Sequence, residues 1–86
     1  MLPAGLTPAL QALWLDAKGD WERAHKKIQD DSSAQASWIH AYLHRKEGDE
    51  GNARYWYNRA GKKFPALTLQ DEWRSIASAL LAESIH

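Results

Sequence analysis

The chain has 86 residues and no cysteine, which excludes a disulfide framework, a thiol nucleophile and a cysteine-based zinc cluster. Lysine and arginine total 11, as do aspartate and glutamate, so neither a nucleic-acid coat nor a polybasic membrane binder is expected. A chain this short makes one domain, able to bury only about 60–65% of its unfolded surface.

The punctuation predicts helices throughout. Thr7 before Pro8 reads as an N-cap followed by proline at the first helical position. Leu6, Leu10, Leu13, Trp14 and Ala17 then recur at helical spacing. Gly19 ends this helix, and Asp20 caps a second with Trp21, Ala24 and Ile28 as its apolar stripe. Asp30 to Ser33 closes the second helix. Ser32 with Gln35 is a capping-box pattern for a third helix, which stops at Gly48. Asp49 caps a fourth, with Ala53, Tyr57 and Ala60 on one face and Gly61 as terminator. Residues 62–67 link to a fifth helix opened by Thr68 and Asp71. It carries Leu69, Trp73, Ile76, Ala77, Leu80 and Leu81. Valine is absent and threonine occurs twice, so a sheet is not expected.

A shift of 29 residues superposes Ala12, Gly19, Asp20 and Ala24 on Ala41, Gly48, Asp49 and Ala53, and Ile28 on Tyr57. Gly-Asp makes a tight turn that ends one helix and caps the next. Small residues on both sides let the paired helices approach closely.

These residues resemble the tetratricopeptide repeat, a helix-turn-helix unit. The second unit matches it better, with Ala41, Gly48-Asp49, Ala53, Tyr57, Ala60 and Pro65 in place. Trp38 sits one position off the family's usual tryptophan, and the first unit lacks the terminal proline. The stretch from Trp38 to Gly61 also resembles a family of small, uncharacterised, mainly bacterial helical proteins, which implies a fold and no activity. The resemblance implies an all-α fold of about five helices. Residues 7–31 would form a first hairpin, 32–61 a second stacked on it, and 68–85 a C-terminal capping helix. In that register the groove-lining positions fall near Gln35, Trp38, Tyr42, Arg45 and Lys46.

Five tryptophans, at positions 14, 21, 38, 56 and 73, suit a small core without staples. Two groups of residues could do more. His40, His44 and Glu47 lie at i, i+4 and i+7, within about 60° of one another around a helix. Two imidazoles and a carboxylate are acceptable metal ligands. Ala41 follows His40, however, so the glutamate of the HExxH pattern is missing. His25 falls in the second helix and His86 at the C-terminus. Arg59 beside this face would repel a cation, so packed and hydrogen-bonded histidines are expected, with no metal or other cofactor. Asn52, Trp56 and Arg59 share the same spacing on the fourth helix. An antiparallel hairpin closed at Gly48-Asp49 brings His40 opposite Trp56, and His44 and Glu47 opposite Asn52 and Ala53. There Arg59 would pair with a carboxylate and Trp56 would stack.

Arg54, Arg59, Lys62 and Lys63 interleave with Tyr55, Trp56, Tyr57 and Phe64, a pattern compatible with nucleic acid. A solvated helix face explains them better, since Tyr57 already belongs to the core face, so nucleic acid is not an expected partner. No nucleophile elbow or phosphate loop is present, and no enzyme activity is expected. No apolar stretch reaches the roughly 20 residues of a membrane span. The first ten residues lack a signal peptide's basic start and apolar run. The expectation is thus a cytoplasmic, non-catalytic protein-interaction module that binds a protein or peptide, or a second copy of itself. Trp38, Tyr42, Arg45, Trp56 and Arg59 would be its contact residues. The alternative is a metal- or small-ligand-binding protein using the polar face of the second hairpin.

Overall fold

A computed structural model describes residues 7–84, excluding the side chain of Ser84. Leu6 of the first helical stripe, Ile85 at the expected end of the fifth helix and His86 lie outside the described residues. The fold is all-α: α1 (Pro8–Ala17), α2 (Trp21–Ile28), α3 (Ala34–Glu47), α4 (Glu50–Ala60) and α5 (Leu69–Ser84). There is no strand among the described residues.

Local chemistry sets the boundaries. Thr7 Oγ1 accepts from the Leu10 N–H, and Pro8 occupies the first helical position. Asp20 and Asp49 carboxylates accept from the N–H groups of Arg23 and Asn52. Gly19 (φ 84°), Gly48 (φ 91°) and Gly61 (φ 72°) take the left-handed conformation that closes a helix. Thr68 Oγ1 accepts from the Asp71 N–H to start α5. One expected cap moves by a residue: Ser33, not Ser32, caps α3, its hydroxyl accepting from Ala36 N–H. The reason is Asp31, whose carboxylate takes the Ser33 N–H and turns the chain there. Gln35 is thereby freed from the capping box, and its amide donates to Glu83 of α5.

α1 packs with α2 and α3 packs with α4 as two hairpins. Ala12, Ala24, Ala41 and Ala53, the four small positions of the repeat, are fully buried, as close helix approach requires. α3 is central, with an apolar core on each side. One joins Leu10, Leu13, Ile28, Ile39, Leu43, Ile76 and Leu80. The other joins Ala41, Ala53 and Tyr57, flanked by Trp38, Trp56 and Phe64. The buried face of α1 is wider than the expected stripe: Leu10 and Leu13 are buried as expected, Leu15 and Asp16 are buried as well, and Ala17 is exposed. α1 lies against three helices, α2, α3 and α5, so a single stripe could not describe it.

α5 does not simply extend the stack beyond the second hairpin. It lies against α1 and α3. Trp73 Nε1–H donates to the Leu13 carbonyl at 3.1 Å, tying α5 to α1. Glu72 ties it to α3 and α4.

Candidate functional site

The groove face of α3 is partly covered by α5: Tyr42 is buried, Trp38 and Arg45 are half-buried, and Gln35 and Lys46 stay exposed. Glu72 is 1% exposed and gathers three donors. Tyr57 Oη donates at 2.5 Å, Arg45 Nη1 at 2.8 Å and Trp38 Nε1 at 3.3 Å. Arg45 also donates to the Leu67 carbonyl in the linker. Tyr42 Oη and Lys46 Nζ reach the other buried acid, Asp16, at 3.0 and 2.9 Å. Burial beside these carboxylates pushes the Tyr42 and Tyr57 hydroxyls well above the usual tyrosine range, with desolvation the larger cause. The polar groups of Trp38, Tyr42 and Arg45, expected to meet a partner, are therefore engaged within the molecule. The physical reason is the pair of buried acids, which draw donors from Trp38, Tyr42, Arg45 and Lys46.

The second hairpin meets its expectation more closely. His40 and Trp56 stack with ring centroids 3.9 Å apart and planes 13° from parallel. Arg59 lies over Trp56 and Tyr55, 5.4 and 5.9 Å from their centroids, and donates to the Tyr55 hydroxyl at 3.4 Å. Tyr55 and Arg59 are exposed, and Trp56 is half-buried.

The histidines make a different set from the one the α3 spacing suggests. His25 comes across from α2, and its Nε2 lies 3.0 Å from Nε2 of His40. His25, His40 and His44 each bring a ring nitrogen within 4.8 Å of the other two. Glu47 instead holds His44: its Oε2 lies 2.6 Å from His44 Nδ1. Trp21 stacks on His25 at 5.0 Å and 7°. The indole N–H of Trp21 donates to the Leu43 carbonyl at 2.8 Å, which fixes that ring against α3. Burial, chiefly, lowers the pKa of His40 to about 4, with the neighbouring imidazoles adding to it. His25 is lowered by the same two effects, although Glu47 partly opposes them. His40 is thus neutral at pH 7.

His25 could have been found in the sequence. The Asp30–Ser33 link makes α2 and α3 antiparallel neighbours. Counting outward from it brings His25 within a turn of His40. No family model, curated protein or solved structure matches this chain. No described helix is long and apolar enough to cross a membrane.

Proposed function

We propose that this chain is a small, non-catalytic protein-interaction module, built of tetratricopeptide-like hairpins, that docks an acidic segment of another protein. The contact surface is the outer face of α4. The observation that carries this reading is the cluster of Tyr55, Trp56 and Arg59. Tyr55 is 54% exposed, and the Arg59 guanidinium rests on both rings. Tryptophan, tyrosine and arginine are the residue types that dominate interface energies. Charge supports an acidic partner: residues 50–67 hold Arg54, Arg59, Lys62 and Lys63 against Glu50 alone. Of the five contact residues expected from sequence, Trp56 and Arg59 remain in this role.

The test begins with affinity capture and mass spectrometry to identify the partner. Calorimetry with the purified partner and the variants Arg59→Glu and Tyr55→Ala follows. Arg59→Glu should weaken binding at least about tenfold and flatten its salt dependence. Unchanged affinity in both variants would remove this face from the account. Self-association by sedimentation, lost in the same variants, would identify the partner as a second copy.

A further inference from the structure

We propose that His25, His40 and His44 form a binding site for a zinc-class divalent transition-metal ion, with Glu47 orienting His44. The site joins the two hairpins, one ligand coming from α2 and two from successive turns of α3.

The donor chemistry fits. Imidazole nitrogen is a preferred ligand of zinc, cobalt, nickel and copper. Four-coordinate zinc with bonds of about 2.0–2.1 Å separates its ligand nitrogens by about 3.3 Å. The Nε2 atoms of His25 and His40 lie 3.0 Å apart, and no pair in the trio exceeds 4.8 Å. Small rotations about the side-chain torsions would bring all three onto one ion. With its Nδ1 on Glu47, His44 has only Nε2 to offer the cluster. A carboxylate on the far nitrogen of a ligating histidine fixes the tautomer and raises its basicity. The ring planes of the other two ligands are already set, His25 by Trp21 and His40 by Trp56.

Packing of neutral histidines accounts less well for the same atoms. One proton can sit between His25 Nε2 and His40 Nε2. His44 then brings a further ring nitrogen into the same small space. His40 and His44 are 5% and 7% exposed, so water compensates them poorly. A divalent ion supplies the one thing the cluster lacks, a common acceptor for inward-facing lone pairs. Three protein ligands would leave the fourth position for water or an exogenous donor.

The second group that could hold an ion is His44, Glu47 and Asp49. It shares His44 but lies at the exposed end of α3, and Asp49 is already engaged as the cap of α4. It makes the weaker site, and the test separates the two.

The experiment is titration of chelator-stripped protein with Co2+, read by visible absorption, followed by competition with Zn2+. The expected result is one ion per chain, cobalt bands of tetrahedral intensity, and a zinc Kd below about 1 µM. His25→Gln, at a half-buried position, should weaken binding about 100-fold or more while the far-ultraviolet circular dichroism stays unchanged. Glu47→Gln, at an exposed helix end, should weaken it about 10–100-fold, as loss of an orienting carboxylate does. Absence of saturable binding up to about 100 µM would overturn the proposal, since a built three-imidazole site binds far more tightly. So would wild-type affinity in His25→Gln, which would place the ion on His44, Glu47 and Asp49 or at the C-terminus.

Discussion

Arg45 and Glu72 form an ion pair at 2.8 Å between α3 and α5, with their side chains 18% and 2% exposed. The pair explains why α5 lies across the groove. A carboxylate this deeply buried is tolerated only with several donors, and α3 and α4 supply them from Trp38, Arg45 and Tyr57.

Glu72→Ala should therefore be among the most destabilising single changes in the chain. It strands three donors around a cavity and leaves a guanidinium without its partner. The expected loss is about 3 kcal/mol, read as a lower midpoint in urea unfolding. Glu72→Gln keeps the shape and should cost less. If Glu72→Ala unfolds at the wild-type midpoint, α5 is not held by this residue.

Tyr42→Phe removes one hydrogen bond to buried Asp16 while Lys46 stays in place. A loss of about 1–2 kcal/mol is expected in the same unfolding assay. Both buried tyrosines also set an alkaline limit. Their pKa values are raised in the folded state, so folding favours the protonated hydroxyl. That contribution is complete below the unfolded value of about 10 and declines as pH rises above it. Thermal melting from pH 8 to 11 should show a fall that is smaller in Tyr42→Phe than in wild type, once their difference at pH 8 is subtracted.

The histidines give an acid limit of opposite sign. His40, with its pKa lowered to about 4, and His25, also lowered, are favoured in their neutral forms by folding. The unfolded chain binds more protons between pH 6.5 and 4, so metal-free protein should lose stability progressively as pH falls through that window. Above pH 7.5 this contribution should be flat. Urea midpoints at half-unit intervals of pH check it, and His25→Gln should make the acid slope shallower.

Much of the fold was legible because its boundary signals are local. Thr7, Asp20, Asp49 and the glycines at 19, 48 and 61 each act within four residues of their own position. The small residues Ala12, Ala24, Ala41 and Ala53 carried the hairpin pairing, and the Gly-Asp turn carried its register. What the sequence did not disclose is long-range and polar. Glu72 looks like an ordinary first-turn acid of a capping helix. Nothing near it in sequence says that Tyr57 and Arg45 will enclose it. The same blindness made Trp38, Tyr42 and Arg45 look available for a partner. For the imidazoles, the i, i+4 spacing found His40 and His44 but offered Glu47 as the third ligand. His25 required one more step, the antiparallel placement of α2 beside α3.

Gly48 and Gly51 make a paired test of the turn. Gly48 has φ 91°, and an added Cβ would meet nothing within 4 Å, so Gly48→Ala carries a conformational cost alone, about 1–2 kcal/mol. Gly51 lies in α4 with equally open space, and Gly51→Ala should stabilise by about 0.4–1 kcal/mol. Chemical denaturation of the two variants should move in opposite directions.

The convergence of His25, His40 and His44 is tested most directly by X-ray absorption at the zinc edge on the zinc-loaded chain. Three imidazole nitrogens at about 2.0–2.1 Å, with the multiple scattering of intact rings and one further light ligand, are predicted. Loss of one imidazole in His25→Gln should follow. A shell of mainly carboxylate oxygens, or one unchanged by His25→Gln, would contradict it.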